Sequence, residues 1–317
     1  MDDYLVLAIG FGLLILGGEL LVRGAVAVAT AFRLSPLLIG LTIVGFGTSS
    51  PELVTSLSAA FAGSPGIALG NVVGSNIANV MLILGVAALL SPIPVKRAPF
   101  LVDGGMATLA GLAGAVALLA GEVDRVAGIA LLAALLIYLV ASYRRDRREV
   151  LPDIGEETGL APIAAAPPRA PLWRSAAILF AGLALTILGA DQLVAAGRSL
   201  ALEWGASEAL IGLTVVAIGT SLPELTTSVV AGLRGHSDIA LGNILGSNIF
   251  NIFGIMGVTA IAHPLTAPAE LAAFDVWALL GASAALVLVA VTGWRVTRPE
   301  GGALLLGYAA YLALKAL

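Results

Sequence analysis

Two glutamates stand where an apolar chain should have none. Glu52 closes the run Gly47-Thr48-Ser49-Ser50-Pro51-Glu52, and Glu224 closes Gly219-Thr220-Ser221-Leu222-Pro223-Glu224. Each lies midway along a greasy stretch. A carboxylate at bilayer depth costs several kcal/mol unless it is solvated, paired or bound to something. Pro51 and Pro223 lack the N–H that would bond the carbonyl four residues back, so the carbonyls of Gly47 and Gly219 are freed. The neighbouring carbonyls of Gly45 and Ala217 can tilt off the helix axis. One turn therefore offers carbonyl, hydroxyl (Thr48, Ser49; Thr220, Ser221) and carboxylate oxygens. A second cluster follows in Gly74-Ser75-Asn76-Ile77-Ala78-Asn79 and Gly246-Ser247-Asn248-Ile249-Phe250-Asn251. Ser75 and Asn79 are four apart and share a helix face, as do Ser247 and Asn251. Asn76 and Asn248 fall a quarter turn away and are expected to point elsewhere. All these are hard oxygen ligands, suited to Na⁺ and Ca²⁺ and ill suited to soft metals.

Both clusters belong to one segment written twice. Residues 39–85 and 211–257 lie 172 positions apart and match at 27 of 47 positions. The matched residues are mainly Gly, Thr, Ser, Pro, Glu and Asn, not the greasy ones. Small and hydroxyl residues in membrane helices commonly serve close packing, and an isolated Gly-Thr-Ser would be read that way. A midspan Glu after Pro, duplicated and joined by amides from a second duplicated span, points instead to an ion site at a repeat interface. Asn71 and Asn243, in the Leu-Gly-Asn runs, are expected to start helices.

The elements that must carry these residues are membrane helices. Of 317 residues, 59% are hydrophobic and 11% charged, against about 25% charged in soluble domains. Spans are expected at 4–30, 36–62, 68–90, 99–120, 125–142, 173–200, 208–233, 240–262, 271–292 and 302–317. The fold expected is all-α and integral to the membrane, with ten transmembrane helices. The one long polar break, 143–172, opens with Arg144, Arg145, Arg147 and Arg148 and continues through Pro152, Pro162, Pro167, Pro168 and Pro171. That composition makes a flexible linker between a first half, 1–142, and a second, 173–317. With this loop in the cytoplasm, twelve of the Lys and Arg residues gather on the cytoplasmic side, among them Arg33, Lys96, Arg97, Arg234, Arg295 and Arg298. Arg125, Arg198 and Lys315 alone fall outside, and Arg23 sits within the first span. Both termini are then outside. Five spans per half is an odd number, so the halves are two inverted-topology five-helix repeats.

Other polar residues have plainer readings. There is no cysteine, hence no disulfide and no thiolate metal site. His236 and His263 are read as solvated loop residues. Glu19 has Arg23 one turn on, a local pair, while its repeat mate Asp191 has Ala195 there. Asp103 and Asp275 also match across the repeat, each near the start of a span, where the helix dipole favours a carboxylate. These four acids are read as structural or gating residues.

At the two duplicated motifs the chain resembles the cation/calcium exchanger superfamily, specifically its prokaryotic sodium/calcium exchangers. Their α1 and α2 repeats carry G-T-S-x-P-E and G-S-N-x-x-N/D, and both signatures occur here in order in both halves. The resemblance implies a cluster of cation sites between spans 2, 3, 7 and 8. It implies a Ca²⁺ site shared by both glutamates and exchanged against about three Na⁺. Carried over by position, the ligands are Gly45 (carbonyl), Thr48, Ser49, Glu52, Ser75 and Asn79 from the first half. From the second come Ala217 (carbonyl), Thr220, Ser221, Glu224, Ser247 and Asn251. Some members, potassium-dependent ones included, have Asp where this chain has Asn251, so the site here holds two formal negative charges, which weakens the case for potassium dependence.

The function expected is Na⁺/Ca²⁺ antiport by alternating access in a prokaryotic inner membrane. No catalytic residue, cofactor or nucleic-acid partner is expected; the transported ions and the lipid bilayer are the partners, and a monomer suffices. Proton-coupled or K⁺-dependent exchange is the alternative, because buried carboxylates can carry protons. A cation channel filtered by repeated Glu residues is a third reading, separated from the others by obligate counter-ion dependence. An enzyme is the remotest, since no His-Glu metal motif, Ser-His pair or phosphate loop is present.

Overall fold

The computed structural model describes residues 3–150, 171–204 and 217–315. Helices dominate it: α1 (Asp3–Phe32), α2 (Pro36–Thr48), α3 (Ser50–Phe61), α4 (Pro65–Leu90), α5 (Arg97–Leu119) and α6 (Arg125–Val150) in the first half. The second half has α7 (Leu172–Glu203), α8 (Ala217–Thr220), α9 (Leu222–Leu233), α10 (Ser237–Ala262), α11 (Leu271–Val291) and α12 (Arg298–Lys315). Among the described residues, seven helices are long and apolar enough to cross a membrane. An eighth candidate is the pair α2 and α3, bent by 43° at Ser49. With nothing in a bilayer to bond a free N–H or C=O, a helix is the economical spanning form. Exposed Trp173, Trp204 and Trp277 sit near helix ends, as interfacial tryptophans do.

The described helices match the expected spans to within a few residues, with one difference. Helix α6 does not stop at 142 but continues to Val150, so residues 143–150 of the expected linker are helical. Tertiary bonds hold this extension. Asp146 accepts the Ser35 N–H (3.0 Å), and Arg145 reaches Asp103. Linker residues 151–170 and the start of the expected 208–233 span lie outside the described residues.

Helices α4 and α10 form the centre. Of their apolar windows 72% and 89% are buried, against 22% for α6. Ile77, Ile83, Leu84, Ile244, Leu245 and Met256 pack where they cross, each fully buried. Helices α1 and α7 run antiparallel along a glycine seam. A Cβ on Gly10 would stand 2.9 Å from Gly189 O, and one on Gly17 2.9 Å from Gly182 O. Backbones approach this closely only where side chains are absent.

Two short antiparallel ladders tie the halves together. Strand β1 (Ile93–Pro94) pairs with β4 (Arg295–Val296), and β2 (Glu122–Val123) with β3 (Leu265–Thr266). Each ladder joins one strand from each half, so the exchange itself obeys the repeat.

Candidate functional site

The broken helices place the glutamates. Ser49 (φ −82°, ψ 6°) and Ser221 (φ −90°, ψ 6°) interrupt the helix at equivalent points. Pro51 and Pro223 then take the first turn of the next segment, where their missing N–H is harmless. Glu52 and Glu224 follow in that same first turn, where the helix dipole favours a carboxylate. Both are almost wholly buried, at 1% and 2% exposure.

The crossing of α4 and α10 supplies the facing wall. Ser75, Asn79, Ser247 and Asn251 are all buried there, and so are Thr48, Ser49 and Ser221. Ser49 Oγ donates to Glu224 Oε1 at 3.0 Å, so the hydroxyl of one half serves the carboxylate of the other. Ser247 Oγ reaches Gly45 O at 3.4 Å, again across the halves. That carbonyl also accepts the Ser49 N–H (3.1 Å) and lies 3.3 Å from Thr48 Oγ1. Gly45 O is therefore engaged by protein donors and not left open. Ala217 opens the described part of the second broken span, and Thr220 ends its helical turn.

Some of the site's oxygens have no protein partner among the described residues. Both oxygens of Glu52, Glu224 Oε2, Ser221 Oγ, Asn79 Oδ1 and Asn251 Oδ1 are buried and unbonded. Buried polar atoms are normally satisfied, because an orphan costs about 1–3 kcal/mol. Six orphaned acceptors thus lie on the broken helices and on the crossing behind them. Among the described residues no three His, Asp or Glu side chains cluster as a metal site would. The charge here comes from two carboxylates and the remaining ligation from neutral oxygens, a donor set for hard cations.

Several functional contacts escaped the sequence. Asn71 and Asn243 do not start helices; they lie inside α4 and α10. Asn71 Nδ2 donates to Glu52 O (3.1 Å) and Ser56 Oγ (2.9 Å). Asn243 Nδ2 makes the matching bonds to Glu224 O (3.3 Å) and Ser228 Oγ (2.9 Å). These amides fix the broken helices beside the glutamates. Asn76 and Asn248 do not point away either. Asn76 donates to Asn248 O (3.2 Å), Asn79 to Asn248 Oδ1 (3.1 Å) and Asn251 to Asn76 Oδ1 (3.0 Å). Asn79 and Asn251 thus each turn an amide N–H to the crossing, while their carbonyl oxygens remain buried and unbonded. Asn79 opens one π-helical turn, Asn79–Leu84, and Asn251 is second in the other, Phe250–Met256, a distortion common at functional sites.

Three of the other four acids, Asp103, Asp275 and Glu19, have structural partners. Asp103 is held by Arg145 (2.8 and 2.7 Å) and Tyr138 OH (2.9 Å). Asp275 is held by Lys315 (2.7 Å) and Tyr311 OH (2.7 Å). Glu19 binds Arg23 (2.6 Å) as expected, and also Arg234 (2.8 Å) from α9.

A bundle of apolar helices enclosing a hard-oxygen cluster between two repeated halves defines an ion-transporting membrane protein. The chain belongs to the sodium/calcium exchanger protein family, whose model matches residues 3–144 and 174–317. It is 38% identical to the putative antiporter CaxA of Alkalimonas amylolytica, over 96% of this chain and 95% of that one. It is 32% identical to the sodium/calcium exchanger MaX1 of Methanosarcina acetivorans, over 98% of each. Among solved structures, the sodium-calcium exchanger NCX_Mj soaked with 10 mM Na⁺ and zero Ca²⁺ superposes with a TM-score of 0.81, at 30% identity and 98% coverage of each chain.

Proposed function

We propose that this protein exchanges Ca²⁺ for Na⁺ across a prokaryotic inner membrane, at a site shared by Glu52 and Glu224. The orphaned buried oxygens around these two glutamates carry the reading. The ligand set is Glu52, Glu224, Thr48, Ser49, Thr220, Ser221, Ser75, Asn79, Ser247 and Asn251, with the carbonyl of Ala217 and with that of Gly45, released when the ion displaces its present donors. With both glutamates ionised, one Ca²⁺ neutralises the site, and two Na⁺ do the same. A third Na⁺ leaves one positive charge, so a ratio of about three to one makes exchange electrogenic.

The architecture proposed is ten spans in two inverted repeats, 1–142 and 173–317. Helices α9 and α12 complete the count although they fall short of a spanning helix by length and composition, because each lies where its repeat mate crosses. The exchanged strand pairs and the matching Asn71 and Asn243 clamps support the twofold relation. The Arg and Lys distribution puts residues 143–172 in the cytoplasm and both termini outside. One chain contains the whole site, so a monomer suffices.

Glu52→Gln and Glu224→Gln, reconstituted in proteoliposomes, test the assignment. Each is expected to fold and to lose Na⁺-driven Ca²⁺ uptake. Wild-type uptake by either well-folded variant would remove the shared site.

A further inference from the structure

A cavity of about 400 Å³ is lined both by Asn71, Ser75 and Thr220 and by Tyr308, Tyr311 and Lys315, whose side chain is partly exposed. Among the described residues that line it, Lys315 is the one charged group. A lone cation is the wrong charge for a passage that admits Ca²⁺ and Na⁺. Its ammonium is not left alone, however. Nζ lies 2.7 Å from Asp275 Oδ1 and 3.3 Å from Tyr311 OH, and over the Tyr311 ring at 5.6 Å. Asp275 is buried behind the wall at 2% exposure, whereas the Lys315 side chain is 30% exposed. The carboxylate thus faces the lysine and the cation faces the cavity. The cavity on the opposite side of the molecule is lined by Lys96, Arg145, Asp146 and Asp238, two charges of each sign. There the lining balances itself; here the balance comes from one buried acid.

We propose that the Asp275–Lys315 pair is an access gate of charge: Asp275 cancels Lys315 in the cavity wall, and the pair sets how readily divalent cations reach the glutamate site. This rests on the exchanger reading above. Neither residue belongs to the proposed ligand set, so the pair acts on arrival and not on turnover. A unit charge about 10 Å from a divalent ion in a water-filled vestibule changes its local concentration about four-fold at low ionic strength. At about 0.1 M salt the Debye length is about 10 Å, and most of that effect is screened.

The test is Na⁺-driven Ca²⁺ uptake by the reconstituted full chain at subsaturating Ca²⁺, with choline chloride varied. Asp275→Asn leaves Lys315 uncancelled and is expected to lower kcat/KM for Ca²⁺ about four-fold at low salt. Its maximal rate stays at the wild-type value, and the deficit fades as salt rises. Asp275→Asn combined with Lys315→Met removes both charges and restores kcat/KM. Lys315→Met leaves Asp275 uncancelled, a change of one negative charge, and raises kcat/KM about four-fold, which keeps the question open to test if Asp275→Asn does not fold. Variants with wild-type kcat/KM and salt dependence would overturn the proposal, as would a fall in maximal rate that ignores salt and is not rescued by the double variant. Absence of Na⁺-driven uptake in the wild type would instead overturn the exchanger reading.

Discussion

Asn71 and Asn243 are the same residue in the two halves, yet their removal should differ sharply in cost. Asn243 is fully buried. Its amide bonds Glu224 O (3.3 Å) and Ser228 Oγ (2.9 Å), and its carbonyl lies 3.2 Å from Thr48 Oγ1. Asn243→Ala strands these partners in a dry place. At about 1 kcal/mol for each bond, and more where a group stays unsatisfied, the loss is about 3–4 kcal/mol. Asn71 makes two such bonds, to Glu52 O and Ser56 Oγ, but it lines the cavity of about 400 Å³ that opens beside Lys315. Water can replace its amide there, so Asn71→Ala should cost about 1 kcal/mol. Thermal unfolding in detergent reads the difference. Asn243→Ala is expected to lower Tm several times as far as Asn71→Ala and to reduce Ca²⁺ uptake as Glu224 loses its fixed backbone. Equal shifts, or a larger shift for Asn71→Ala, would refute the reasoning.

Gly182→Ala should destabilise the protein by about 1–3 kcal/mol, because its Cβ would run into the backbone of Leu21 on α1, whereas Gly12→Ala, with open space around it, should be neutral; unfolding curves of both variants check this. Asn251→Asp adds a carboxylate beside Asn76, to whose Oδ1 the present amide donates. If the new acid ionises, the loaded site should take up one more monovalent ion; if it holds a proton, coupling should become pH-dependent. Na⁺-driven Ca²⁺ flux against pH, with and without K⁺, distinguishes these outcomes, and a variant that matches wild type in both respects would remove Asn251 from the site.

The helix positions and the glutamate motif were legible because their signals are local. Apolar length gives a span, and a proline two residues after Ser49 and Ser221 marks where each helix breaks. Contacts between the halves were not legible. Asn76 and Asn248 look turned aside on a single helix wheel, and only the crossing of α4 with α10 makes each the other's partner. Asn71 and Asn243 sit near Gly in runs that read as helix starts, but their partners lie a full span earlier in the chain. The extension of α6 past 142 depends on Ser35 and Asp103, both remote in sequence. The strand ladders are two residues long, too short for any alternation of apolar and polar residues to announce them.

Ca²⁺ uptake into sealed proteoliposomes, with Na⁺, K⁺ and H⁺ gradients imposed one at a time, probes most directly whether the Glu52–Glu224 site couples Ca²⁺ to Na⁺. An outward Na⁺ gradient should drive uptake in the wild-type protein, with inward movement of Ca²⁺ favoured by a negative potential on the Na⁺-accepting side, and neither a K⁺ nor a H⁺ gradient should substitute. Glu52→Gln and Glu224→Gln should abolish it. Uptake that needs no counter-ion, or that follows the H⁺ gradient alone, would contradict Na⁺/Ca²⁺ exchange at this site.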